Sequence, residues 1–117
     1  MAKHTICHIE WDVTDLARAQ GFYEGLFGWN FRSFGETMVV FGVGDQHLGG
    51  LMKVDQVNAG NSPSVWIEVE NVEDMCSKAV SLGGSIRKGK EPVPGVGFSA
   101  IVTDLDGNGV GMVQFAQ

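Results

Sequence analysis

Two residues near the start of the chain have the chemistry to move a proton. His8 and Glu10 lie in the stretch "HTICHIEWDV", which is apolar or bulky throughout and reads as a strand over about 4–13. In an extended strand, residues two apart leave the same face, about 7 Å apart along the chain. Ile6, His8, Glu10 and Asp12 therefore share one face; Cys7, Ile9, Trp11 and Val13 share the other. An imidazole beside a carboxylate can serve as a general base, hydrogen-bond a ligand, or form a polar pair facing solvent or a partner subunit. A second constellation lies in "SVWIEVEN", where Ser64, Trp66, Glu68 and Glu70 alternate with Val65, Ile67 and Val69. Trp66 offers a flat apolar wall for a ligand and Glu68 an acid on the same face. Glu10, Asp12, Glu68 and Glu70 together could recruit a cation. Two glycines complete the candidate set. "DQHLGGLMKV" and "DGNGVGMVQF" each begin with Asp and place a glycine sixth, at Gly50 and Gly111. Such a glycine lets a ligand approach the backbone, or accommodates a bulge or tight bend in a sheet. Met52, in step with Gly50, is a further lining candidate, with core packing as its other role. His47 reads as a structural or turn residue, and His4 as terminal surface.

These side chains need elements to hold them. After the first strand, Thr14 is placed to cap a helix over 15–27. There Leu16, Ala19, Phe22, Tyr23, Leu26 and Phe27 recur at three- and four-residue steps, and Gly28 ends the helix. Trp11, Phe22 and Tyr23 read as packing between strand and helix. Strands are expected at 29–34, 37–43 and 47–54, with a polar linker over 55–63. The fifth strand begins at 64, Asn71 caps a second helix running to about Leu82, and "GG" stops it. Strands near 85–90 and 96–103 follow, joined by "GKEPVPG", and the last strand spans 109–115. The order strand, helix, three strands occurs twice. Val13, Leu16, Leu26 and Gly28 return 56 positions later as Val69, Val72, Leu82 and Gly84. A repeat of this size buries its sheet and helix faces poorly unless the halves pair.

Bulk properties narrow the partners. A chain of 117 residues, 44% hydrophobic, fits one domain with a packed core. Its formal charge of −6 argues against nucleic acid and anionic lipid. No apolar run is long enough for a membrane helix, and the first residues lack the apolar segment of a signal peptide, so a cytoplasmic location is expected. Cys7 and Cys76 sit in apolar surroundings and read as free buried thiols. "DLDGNG" at 104–109 reads as a tight turn, since the later ligands of a calcium loop are missing. "KGKEPVPGVG" lacks the Lys-Ser/Thr ending of a phosphate-binding loop and reads as a mobile hairpin edge.

Three stretches, "HIEWDVTDLARAQGFYEGLFGW", "VWIEVENVEDMCSKAVSLGG" and "DLDGNGVGMVQF", resemble the vicinal-oxygen-chelate superfamily of glyoxalase I, bleomycin-resistance proteins and extradiol dioxygenases. The resemblance implies an α+β fold: two paired βαβββ modules, about 4–54 and 64–115, forming a curved eight-stranded mixed sheet around a cleft, often at a dimer interface. Metal-using members hold an ion with one side chain from each module's first and fourth strands. Those positions fall here on His8, Gly50, Ser64 and Gly111. Only His8 is a strong ligand, since glycine has no side chain and serine binds zinc or nickel poorly. The expectation is therefore a homodimeric glyoxalase-like protein that binds a small organic molecule without the usual metal site and without a cofactor. Its ligand would meet His8, Gly50, Met52, Ser64, Trp66, Glu68 and Gly111, with His8 and Glu10 as the catalytic pair if there is turnover. The alternatives are a metal-dependent lactoylglutathione-lyase-type enzyme and a drug-binding resistance protein.

Overall fold

The computed structural model describes residues 3–58 and 60–116. The fold is α+β, with two helices and an eight-stranded mixed sheet. By chain contacts it divides into two compact units, Cys7–Ser64 and a second made of the residues up to Ile6 with those from Val65 onward.

In the first unit, β1 (Ile6–Val13) leads into α1 (Leu16–Phe27), β2 (Asn30–Ser33), β3 (Met38–Val43) and β4 (Gln46–Lys53). The strands lie in the order β2-β3-β4-β1, with β1 parallel to β4 and the other pairs antiparallel. Asp15, not Thr14, caps α1: its carboxylate accepts from the Arg18 amide at 3.0 Å. Either residue can accept at a helix start, and the one in extended geometry immediately before the first helical residue takes the role. Gly28 closes the helix at φ 72°, a left-handed conformation that glycine adopts without a Cβ clash. Trp11 and Val13 of β1 meet Leu16, Ala19 and Tyr23 of α1, together with Val39, Phe41 and Leu51. Aromatic rings dominate this core. Trp29 stacks on Phe41 at 4.5 Å and Trp11 on Tyr23 at 5.2 Å. Phe22 departs from its expected place: it touches only the edge of Tyr23 in this cluster and is 62% exposed, and Leu26 and Phe27 are exposed too. The helical period identifies an apolar face, but a four-stranded unit covers only part of it.

In the second unit, β5 (Ser64–Glu68) leads into α2 (Val72–Ser81), β6 (Ser85–Val93), β7 (Gly97–Thr103) and β8 (Gly109–Phe115), ordered β5-β8-β7-β6. β5 ends at Glu68, and Asn71 caps α2, as the sequence led one to expect, by accepting from the Asp74 amide. Glu73 and Asp74 in the first turn and Lys78 in the last complement the helix dipole. Val69, Val72, Cys76, Ala100, Val102 and Met112 form the core. Cys76 is a buried free thiol, and burial followed by Glu73 raises its pKa; Cys7 forms no disulfide and is half-buried. β6 continues through most of "GKEPVPG" to Val93. Register shifts at Ile86/Lys88 and Lys88/Glu91 let the strand bend. Pro92 is tolerated because β6 is an outer strand, where one side of the ladder needs no donors. Lys90 ties the strand down, 3.3 Å from Glu73 and 4.2 Å from the Phe98 ring centroid.

Candidate functional site

The face of the β2-β3-β4-β1 sheet opposite α1 gathers the polar chemistry of the first unit. Since Trp11 and Val13 point to the helix, the alternation of β1 puts His8, Glu10 and Asp12 on the open side. Phe31, Val39, Phe41 and Leu51 also face the helix, so Arg32, Val40 and Gly50 face away from it. The register lines these residues up in one row across four strands: Arg32 opposite Val40, Val40 opposite Gly50, and Gly50 opposite Glu10. Neighbouring rows hold Met38, Met52 and Asp12, and Asn30, Gly42 and His47.

His47 is the residue that sequence reasoning missed. Strict alternation from Gly50 would turn it toward α1. The ladder with β3 shifts instead: Phe41 pairs with Gly49, while Gly42 pairs with His47. The extra residue, Leu48, packs into the core three positions from Leu51, and His47 is delivered to the open face. A glycine beside "DQ" in "GVGDQHL" was the available signal for irregular pairing.

There His47 Nε2 lies 2.8 Å from His8 Nδ1, and His8 Nε2 lies 3.0 Å from Glu10 Oε1. The rings are within 13° of parallel. Both contacts with His8 can be hydrogen bonds in only some proton arrangements. A carboxylate at Glu10 accepts, so His8 Nε2 carries the proton; His8 Nδ1 then accepts from His47 Nε2–H. The arrangement leaves the lone pair on His47 Nδ1 as the basic end of the chain. Burial, then His8, then Arg32 hold the His47 pKa below its ordinary value, which keeps the ring neutral and able to accept. Asp12 is raised by burial and by Glu10. A depression of about 230 Å³ opens beside this chain, lined by His47, Arg32, Asn30, Val40 and, from the turn between β3 and β4, Gly44 and Asp45 among others.

The matched glycines have a specific structural task. Gly50 makes room for the His8 imidazole: a Cβ built there would stand 3.3 Å from both His8 Cε1 and Met38 Sδ. In the other unit Gly111 pairs with Trp66, and a Cβ there would overlap the Trp66 indole. Each glycine thus receives a ring from the parallel strand beside it. The surface above Gly111 is covered by Trp66 rather than bare. Glu68, on the Trp66 parity, is 2% exposed and paired with Lys3 Nζ at 3.1 Å. Its backbone also bonds to His4 and Thr5. Ser64 begins β5 and Met52 is half-buried in β4.

These residues do not fit the family's ion cage. The fourth-strand positions, Gly50 and Gly111, offer no donor and are packed by rings. His8 spends its two nitrogens in opposite directions, so Glu10 and His47 do not converge on one point. Among the described residues no group of three or more His, Cys, Asp or Glu side chains is placed to hold a metal ion. No described helix is long and apolar enough to cross a membrane.

Comparison with known proteins agrees with this architecture. The chain is 30% identical over 100 residues to "Putative glyoxylase CFP32" of Mycobacterium bovis and of Mycobacterium tuberculosis. The match covers 82% of the chain but only 38% of the length of those relatives. Among solved structures, hypothetical protein BH1468 of Bacillus halodurans superposes with a TM-score of 0.79 at 12% identity, covering 99% of this chain and 97% of the other. A Streptomyces coelicolor methylmalonyl-CoA epimerase variant, in complex with 2-nitronate-propionyl-CoA, gives 0.72 at 14% identity, covering 99% and 100%. At such identities the likeness is one of fold. The profile of the glyoxalase/bleomycin resistance protein/dioxygenase superfamily matches residues 5–112, and the chain belongs to that superfamily.

Proposed function

We propose that this protein binds a small organic molecule on the open face of the β2-β3-β4-β1 sheet and transfers a proton next to a carbonyl there. The observation that carries the reading is the hydrogen-bonded chain Glu10–His8–His47 beside an open depression. A carbonyl-activated C–H presented to His47 Nδ1 would give up its proton to that nitrogen. The His47 Nε2 proton then shifts toward His8, and Glu10 stabilises the positive charge. This role needs no ion, consistent with a donor set that does not fit the family's cage. The name of the curated relatives suits carbonyl chemistry. Gly50, Met52 and Ser64, which belong to the same unit, remain proposed ligand neighbours, whereas Trp66, Glu68 and Gly111 lie in the other unit, where Glu68 is buried against Lys3 and Trp66 covers Gly111. The protein would act as a cytoplasmic homodimer.

Solvent-deuterium exchange tests the reading. Small 2-oxo and 2-hydroxy carbonyl compounds are incubated with the purified chain in D2O, and C–H loss is followed by proton NMR. Exchange by wild type that falls about 100-fold or more in His47→Ala and His8→Ala supports proton transfer, since a positioned acid–base group contributes ~10²–10⁴-fold. A ligand that saturates the protein while its C–H bonds stay intact would favour the second reading, sequestration without turnover of the bleomycin-resistance kind. The depression and its rings serve that role equally well.

A further inference from the structure

The proton chain ends at His47, but the depression beside it extends to Arg32, which the proposed chemistry does not use. Arg32 lies on β2, the outer strand of its unit, opposite Val40. It is exposed, and among the described residues no carboxylate lies within ion-pair distance of it. Lys3, Lys88 and Lys90 are engaged with Glu68, Glu91 and Glu73, while Lys53, at the far end of β4, does not line the depression. Arg87 reaches the Gly107 carbonyl. Among the residues lining the depression, Arg32 is the one permanent cation, in a chain whose net charge is −6. Asp45, on the turn, is the one acid lining it. Asn30 is held by its side-chain amide on the Gly44 carbonyl at 3.3 Å, which fixes the near wall. Val40 and Gly42 form a low floor between Arg32 and His47.

From these observations we infer that Arg32 anchors the carboxylate of a small organic acid and thereby presents the acid's carbonyl-activated carbon to His47. The inference rests on the proposed function and names its substrate class. A guanidinium presents a planar fork that matches a carboxylate in two parallel hydrogen bonds. Two strand spacings, about 10 Å, separate the β2 and β4 backbones, and Arg32 and His47 line the same depression over β3. A volume of about 230 Å³ lies below the ~300–1,000 Å³ typical of drug-sized ligands. The site therefore suits an acid of a few carbons, or the acidic end of a longer one. An anion there also lies next to a neutral His47, so binding demands no second charge.

The test uses pyruvate and its neutral methyl ester as probes, with the full chain and its Arg32→Gln and Arg32→Lys variants. Amide shifts and affinities are read from proton–nitrogen NMR titrations. Pyruvate is expected to shift Arg32, Gly42 and His47 and to bind at least 10-fold more weakly to Arg32→Gln. Arg32→Lys should keep part of the affinity, and the ester should not distinguish the three proteins. Equal binding of pyruvate to wild type and Arg32→Gln, or no pyruvate shifts at these residues, overturns the inference. Deuterium exchange of pyruvate by wild type and Arg32→Gln separates the two ideas. If pyruvate still binds through Arg32 while wild type exchanges no C–H, the anchor stands and the proton transfer fails. If exchange occurs without dependence on Arg32, the reverse holds.

Discussion

Alanine at the two matched glycines should give opposite results. Neither glycine has a positive φ, so alanine is permitted by the backbone at both and removes unfolded-state freedom. That alone would stabilise by about 0.4–1 kcal/mol. The difference lies in what the new methyl meets. At Gly50 its neighbours are the Val39 carbonyl at 3.2 Å, and His8 Cε1 and Met38 Sδ at 3.3 Å. A shift of a few tenths of an ångström relieves these contacts, and Met38 is flexible. At Gly111 the methyl falls inside the Trp66 ring, and an indole cannot yield locally; the whole ring must swing. Overpacking of that kind costs about 1–3 kcal/mol. Gly50→Ala is therefore expected within about 1 kcal/mol of wild type, and Gly111→Ala, whose clash falls at the upper end of the overpacking range, about 2 kcal/mol below it after the backbone gain. Thermal unfolding followed by circular dichroism reads this as a fall in Tm of roughly 8 °C for Gly111→Ala alone. The cost should vanish in a Trp66→Ala background, because the clash partner is gone. A Gly111→Ala protein as stable as wild type, or one whose loss persists without Trp66, would refute the assignment of this glycine as a seat for the ring.

Other expectations follow from the same geometry. Lowering the pH should cost stability through His47, because its folded pKa lies below the unfolded value of about 6.5. The contribution is full above that value and falls as pH drops toward the folded pKa. Urea unfolding of wild type against His47→Gln across pH 5–8 isolates it, and parallel curves would contradict it. Glu68→Gln leaves Lys3 without its buried acid. The cost should be about 1–2 kcal/mol, less than the ~3–5 for a fully buried pair because Lys3 keeps 38% exposure, and equilibrium urea unfolding measures it. Light scattering should report twice the chain mass for the expected homodimer, and a single-chain mass would remove that expectation.

Much of this arrangement was legible in the residues. His8 and Glu10 two apart on an apolar strand fixed their common face, and the structure puts them in hydrogen-bond contact. The 56-residue repeat set Leu16 against Val72, each the first residue of its helix, and Val13, the last of β1, against Val69, one residue past β5. It also made Trp66 the counterpart of Glu10, each beside its glycine. What was hidden depended on contacts distant in sequence. The extra residue in β4 reverses alternation, so His47 could not be placed by counting from Gly50. Glu68 had the parity of Trp66, yet its burial depends on Lys3, 65 positions away. Arg32 carried no motif that would single it out in the sequence; only the register sets it across Val40 and Gly50 from Glu10. Prolines suggested a loop in β6, where the strand's outer position makes them harmless.

The linked imidazoles are open to one direct measurement: the long-range proton–nitrogen spectrum of the His8 and His47 rings near pH 7.5. The account predicts fixed proton positions, with the Nε2 of each ring carrying the proton that bridges to the next group, and both sets of signals shifting together when Glu10→Gln removes the terminal carboxylate. Rings that average freely between tautomers, or a His47 signal indifferent to Glu10→Gln, would contradict it.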